Sequence, residues 1–227
     1  MTPPLTVERL SFAWPNGRPA LRHCTLQIPR PGLWMLVGSN GSGKSTLLRL
    51  IAGLLEPRSG RIHAAGKAAL VFQNPDHQLL LPSCASDLQL GLPAGLGDDE
   101  RHRCVEQALA QVGLHGFAER PIHTLSGGQK QRLAIAGALA SAADLVLLDE
   151  PTALLDPDSQ HEVLQLLWQL THRPDAPLTA LWITHRLEEL QRCDGAALME
   201  HGAVGRWQDG TALAEQLDPL QAGSPEG

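Results

Sequence analysis

The 227-residue chain has no tyrosine, and only three phenylalanines and five tryptophans. No apolar run reaches the ~18 residues that a membrane-spanning helix requires. The N-terminus, Met1-Thr2-Pro3-Pro4-Leu5, lacks the basic region and apolar stretch of a signal peptide. The expectation is a protein made and kept in the cytosol, with any membrane contact going through a partner. There is no basic surplus either. The net charge of −6 counts against a protein whose main task is to grip nucleic acid. The four cysteines, Cys24, Cys84, Cys104 and Cys193, form no Cys-x-x-Cys pair. That argues against a zinc site or redox motif and for reduced, mostly buried side chains. The ten histidines are scattered, without ligand partners at helical spacing. All but His185 therefore read as ordinary surface or core residues. What remains is 43% hydrophobic and 19% charged, enough for one sizeable domain with its own core.

One stretch organises the rest. Gly38-Ser39-Asn40-Gly41-Ser42-Gly43-Lys44-Ser45-Thr46 fits the pattern of Gly, four residues, Gly-Lys-Ser/Thr. An apolar run, Leu33 to Val37, precedes it and a helical composition, Leu47 to Ala52, follows. Strand, glycine loop and helix make the geometry that cradles phosphate. Backbone N–H groups point inward and the helix N-terminus adds partial positive charge. Lys44 can reach the β- and γ-phosphates, and the Ser45 hydroxyl is placed to ligate Mg²⁺. The loop alone says that the chain binds a nucleoside triphosphate.

Upstream, Leu5 to Leu10 alternates as a strand, and Leu26-Gln27-Ile28 suggests its hairpin partner. Trp14 stands just before the turn Pro15 to Pro19. Its indole either stacks on a purine or covers the edge of the core. Arg61 to His63 and Ala68 to Phe72 read as short strands. Gln73 follows a buried strand, where Pro75 ends regular pairing, and is a candidate ligand group. From about Leu79 to Ala140 the composition is helical, an insert between two strands of the core. Asp98 or Asp99 is expected to cap a helix with the stripe Val105, Leu109 and Val112, stopped by Gly113. Leu90 to Gly97 reads as a flexible connector.

Leu125-Ser126-Gly127-Gly128-Gln129 opens another helix with Ser126 as N-cap. Two glycines there cost roughly 1 kcal/mol each relative to alanine, which suggests that the backbone must lie close to something. Free N–H groups at a helix start favour an anion. Leu145 to Leu148 is an apolar strand ending in Asp149 and Glu150. At the carboxyl end of a parallel sheet, Asp149 can hold Mg²⁺, directly or through water. Glu150 can accept a proton from water. Asp156-Pro157 starts a helix in the favoured way. Leu178 to Thr184 is a buried strand ending in His185, which could contact a γ-phosphate. Ala196 to Glu200 and Gly202 to Val204 suggest a last hairpin. Gln221 to Gly227 is expected to fray.

Together these pieces resemble the ATP-binding-cassette (ABC) ATPases over essentially the whole chain and in the right order. Gly38 to Thr46 resembles the Walker A loop and Gln73 the Q-loop glutamine. Leu125 to Gln129 matches the signature Leu-Ser-Gly-Gly-Gln without change. Leu145 to Glu150 resembles Walker B with its catalytic glutamate. Leu155-Asp156 sits where the D-loop lies, and His185 where the switch histidine lies. Trp14 falls at the adenine-stacking aromatic, usually Tyr. Phe72 to Gln78 and Ser11 to Gly17 are similar to one branch, the ATPases of energy-coupling-factor importers of the cobalt, nickel and vitamin type. Two departures stand out. The D-loop reads Ala153-Leu154-Leu155-Asp156 where Ser-Ala-Leu-Asp is commoner. The chain also stops soon after the switch region.

The resemblance implies an α/β P-loop fold: a mixed sheet with an N-terminal antiparallel β part plus an inserted helical subdomain. One domain would span 1–227, with a nucleotide-binding core of about 1–78 and 142–227 and a helical part of about 79–141. It implies an ATPase with ATP and Mg²⁺ as ligands. Lys44, Gln73, Glu150 and His185 would be catalytic. Ser45, Gln73 and Asp149 would serve the metal. Two cassettes would close head to tail, each ATP lying between one Walker A loop and the partner's Ser126, Gly127, Gly128, Gln129 and Asp156. The partners are a second ABC ATPase, identical or paralogous, and an integral membrane transport subunit, with no nucleic acid. The location is then peripheral, at the cytoplasmic face of the membrane. A soluble ABC ATPase of DNA repair or translation is the rival reading. Those usually carry two cassettes or a coiled-coil insert, absent here. A non-catalytic regulatory cassette is a third, opposed by Glu150 and His185.

Overall fold

A computed structural model describes residues 2–175 and 177–218. The stretch Gln221 to Gly227, expected to fray, lies outside them. Three strands form an antiparallel sheet in the order β2-β1-β4: β1 (Leu5–Ala13), β2 (Pro19–Ile28) and β4 (Ser59–Ala64). A second sheet has the order β5-β6-β7-β3-β8-β9. Its strands are β3 (Gly32–Val37), β5 (Ala68–Val71), β6 (Leu145–Asp149), β7 (Thr179–Ile183), β8 (Gly195–Glu200) and β9 (Ala203–Val204). The first five strands of that order are parallel, and β9 closes the edge as an antiparallel hairpin on β8. The expected P-loop α/β architecture with an antiparallel N-terminal part is what the chain adopts.

The unbroken apolar runs have a physical reason. The parallel sheet is covered on both faces, so both parities of each strand are buried. Leu33, Met35, Val146, Leu148, Ala180 and Trp182 join one core. Trp34, Leu36, Leu145, Leu147, Leu181 and Ile183 join the other, beneath the antiparallel sheet. The helices are α1 (Lys44–Ile51), α2 (Cys84–Gly91), α3 (Asp98–Gln111), α4 (Gly127–Ala140), α5 (Pro157–Thr171) and α6 (Gly210–Leu217). Three of them, α2, α3 and α4, lie between β5 and β6 in the chain and pack on one another. Among the described residues no helix is long and apolar enough to cross a membrane.

Two local expectations are corrected. The N-cap of α3 is Gly97, and Asp98 and Asp99 sit in the first turn. The Glu100 carboxylate accepts from the Gly97 N–H at 3.3 Å, so the carboxylate three residues on does the capping. Leu90 and Gly91 belong to the end of α2, which shortens the connector.

Candidate active site

The parallel order decides what meets. Strands β5, β6, β7 and β3 are neighbours in one sheet, so their carboxyl ends share one edge. Gln73, Asp149 with Glu150, His185 and the Gly38–Thr46 loop leave from those four ends. The ends are tied level: the Glu150 N–H donates to the Ile183 carbonyl at 3.0 Å, and the Thr184 N–H to the Leu36 carbonyl at 3.1 Å.

In the loop, Gly38 has φ 154° and a Cβ there would stand 2.2 Å from the Met199 carbonyl oxygen. Gly43 has φ 108°, with its Cβ position 2.6 Å from the Ala20 carbonyl oxygen. Backbone conformation and close approach both demand glycine. The Lys44 ammonium donates to the carbonyls of Gly38 at 2.7 Å and Ser39 at 3.0 Å, clasping the loop. Burial pushes the Lys44 pKa down, against the pull of Glu150 and Asp149. The Ser45 hydroxyl donates to Asp149 Oδ1 at 2.9 Å. Burial pushes the Asp149 carboxyl up, with the Ser45 bond, Arg49 and Lys44 drawing it back and Glu150 adding to the rise.

Glu150 has φ 50°, a left-handed conformation that a non-glycine residue keeps only where its surroundings over-determine it. Its Oε2 lies 3.1 Å from His185 Nδ1. A cavity of about 210 Å³ is lined by Trp14, Arg18, Asn40, Gly41, Gly43, Lys44, Ser45, Thr46 and Glu150, with Pro19 and Ala20. Trp14 forms one wall of the cavity and packs edge-on against Phe12, ring centroids 5.2 Å apart.

The remaining candidates lie elsewhere. Gln73 is exposed and does not line the cavity. Neither do Ser126, Gly127, Gly128, Gln129 or Asp156. Ser126 and Gln129 form a reciprocal cap at the start of α4, with bonds of 3.0 and 3.2 Å. Asp156 caps α5 by accepting from the Ser159 N–H at 3.0 Å. Its carboxyl is held down by the backbone and side-chain hydrogen bonds of Ser159. The stretch after Gln73 is strapped to α4: Lys130 pairs with Asp76 at 2.7 Å, and Gln131 Nε2 reaches the Phe72 carbonyl at 3.4 Å. Sequence reasoning missed Arg18. Its one signal was a cation in the turn that follows Trp14.

A phosphate loop, a Ser–Asp pair and a Glu–His pair along one edge define a nucleotide-hydrolysing cassette. The family model described as ABC transporter matches residues 21–153, and the chain belongs to that family. It is an ATPase, related to the ATPases of energy-coupling-factor transporters. "ABC transporter I family member 10" of Arabidopsis thaliana is 45% identical over 206 residues, covering 90% of this chain and 76% of that protein. "Energy-coupling factor transporter ATP-binding protein EcfA1" of Lacticaseibacillus paracasei is 37% identical, covering 88% and 77%. Among solved structures, cbiO1 of Clostridium perfringens, described as part of the ABC transporter complex cbiONQ, superposes with a TM-score of 0.85. It is 31% identical and covers 98% of this chain and 93% of its own. The ATP-binding cassette MJ0796, a dimer bound to ADP and phosphate, gives a TM-score of 0.77 at 26% identity, covering 90% and 98%.

Proposed function

We propose that the chain is the ATP-hydrolysing subunit of a membrane importer for a metal ion or a vitamin. It works at the cytoplasmic face as one of two cassettes that close head to tail around ATP. One observation carries the reading. The hydrolytic edge is assembled within the chain, whereas the signature Leu125–Gln129 does not line the chain's own cavity. The phosphate site is therefore completed by the signature of a second cassette. The names of the energy-coupling-factor relatives and the cbiONQ description support the transport role.

ATP enters with its base against Trp14 and its phosphates in the loop, held by backbone N–H groups and Lys44. The Ser45 hydroxyl and Asp149 carboxylate, 2.9 Å apart, are hard oxygen donors of the kind Mg²⁺ takes. Among the described residues no group of three His, Cys, Asp or Glu side chains could hold a metal. Mg²⁺ would be held by the Ser45 and Asp149 side chains together with the nucleotide's phosphates. When bound, Mg²⁺ neutralises charge on the β- and γ-phosphates. Gln73 is the further metal contact on closure. Glu150 accepts a proton from the attacking water, whose oxygen bonds to the γ-phosphorus. The bond to the β–γ bridging oxygen breaks, leaving ADP and phosphate. His185 steadies Glu150 through Nδ1 and presents Nε2 to the γ-phosphate. The partner's Ser126 and the N–H groups of its Gly127 and Gly128 meet that phosphate from the far side, and Asp156 lies at the joint. Leu80, 72% exposed beside the Gln73 segment, offers an apolar seat for a short helix of the membrane subunit.

The test uses tagged Glu150→Gln protein purified with ATP from detergent-solubilised membranes of its host. Turnover should fall about 100-fold or more while ATP stays bound. An integral membrane protein and a second cassette should co-purify. Unchanged turnover removes Glu150 from its role. Recovery without any membrane protein overturns the transport reading.

A further inference from the structure

Behind the Glu150–His185 pair lies a buried carboxylate that the hydrolysis does not use. Glu189 belongs to the short 3-10 helix Leu187–Arg192 and is 5% exposed. The Thr152 hydroxyl donates to its Oε1 at 2.5 Å. Thr152 is itself 1% exposed and stands two residues beyond Glu150. On the other side is Thr184, the residue before His185, 2% exposed, whose Oγ1 accepts from the Arg186 N–H at 3.0 Å. The Arg186 guanidinium Nε stands 3.8 Å from Glu189 Oε1. Burial pushes the Glu189 carboxyl up, and the Thr152 and Thr184 hydroxyls and Arg186 pull it back.

A carboxylate out of water costs free energy unless it is paired and hydrogen-bonded, so the partners of this one are informative. The two segments it joins matter. One leaves β6 carrying Glu150, and the other leaves β7 carrying His185. Helix α5 grips the first from a third direction. Gln160 Nε2 donates to the carbonyls of Thr152 at 3.3 Å and Leu155 at 2.7 Å. Glu150, at φ 50°, needs such over-determination.

We propose that Glu189, through Thr152, is the positioning residue that sets the height of Glu150 against His185. It does not line the nucleotide cavity. It fixes the exit of the Glu150 segment on the switch segment, so that Oε2 and Nδ1 meet at 3.1 Å. The inference rests on Glu150 and His185 acting as described under Proposed function.

The test is a steady-state ATPase comparison of Thr152→Val, Thr152→Ser, Glu189→Met, which removes the acceptor, and the Thr152→Val/Glu189→Met pair, with thermal melts alongside. Thr152→Val keeps the shape and removes the donor. Its kcat should fall on the order of tenfold, the scale of a slightly misplaced catalytic group, with KM for ATP unchanged. Thr152→Ser should restore kcat to within about twofold, because the hydroxyl returns. The double variant should be no slower than Thr152→Val alone, since both remove one link. Wild-type kcat in Thr152→Val overturns the proposal. So does a fall in kcat that the serine fails to rescue, because the role is then packing. If Glu150→Gln keeps its turnover, the catalytic reading falls. If Glu150→Gln is dead and Thr152→Val is fully active, only the positioning role falls.

Discussion

At the end of β6 the Asp149 carboxyl is partly out of water, and burial pushes its pKa above the ordinary carboxylate value. The sign of the consequence follows from proton linkage. The folded chain holds this proton more tightly than the unfolded one. The group's contribution to stability is therefore complete below the unfolded value of about 4 and is lost as pH rises through the raised folded value. Asp149→Asn keeps an oxygen for the Ser45 hydroxyl and removes the titration. Without nucleotide or Mg²⁺, its urea midpoint should rise relative to wild type as pH goes from about 4 to 7, while ATP hydrolysis is lost. Parallel pH dependence in the two proteins would refute it. Residues of this kind were legible in the sequence because their chemistry is local: a glycine loop, then Lys44-Ser45, or a strand ending in Asp149-Glu150. Glu189 was not legible. Its partner Thr152 is 37 positions away, and one glutamate beside another carries no spacing signal.

Helix α4 shows which of the costly glycines packing explains. A Cβ on Gly128 would stand 2.6 Å from Ser159 Oγ and 2.8 Å from Ser159 Cβ, in the first turn of α5. The first turns of the two helices meet at that point, and Gly128 is buried. On Gly127 a Cβ would meet only Leu155 Cδ2, at 3.4 Å, and the residue is exposed. Gly128→Ala should then destabilise the chain by about 1–3 kcal/mol, as overpacking does, and Ser159→Gly should recover part of it. Gly127→Ala should be neutral or stabilise by up to about 1 kcal/mol, since alanine favours a helix. It should still lower ATPase activity if the backbone there lies against a phosphate, because the added methyl would stand in the way. Thermal melts with ATPase assays separate the cases, and full activity in Gly127→Ala would leave that glycine without a role. At this scale helix starts with short polar caps, Ser126 and Asp156, were readable. The α3 start was not, because Glu100 reaches back to Gly97. Nor does a strand's composition say which sheet it joins: β4 pairs with β1 from about 50 positions away and leaves β5 to the parallel sheet.

The whole molecule has one phosphate loop and one signature, which do not share a cavity. Leu154, 62% exposed, stands two residues before Asp156, an apolar side chain on the segment proposed to lie at the joint between cassettes. If each site is built from two chains, two different broken copies should repair one another. Lys44→Ala spoils the loop and spares the signature; Ser126→Arg does the reverse. Alone, each forms pairs with two broken sites. Mixed in equal amounts, half the pairs are hybrids, and each hybrid holds one site with both defects and one with none. Random pairing restores about a quarter of the intact sites. The mixture of two inactive proteins should therefore hydrolyse ATP at up to that fraction of the wild-type rate. If each chain used its own signature, no mixture could recover anything, because every chain would carry one defect. The measurement needs a wild-type preparation that turns over without other subunits. Given that, a silent mixture contradicts the head-to-tail arrangement.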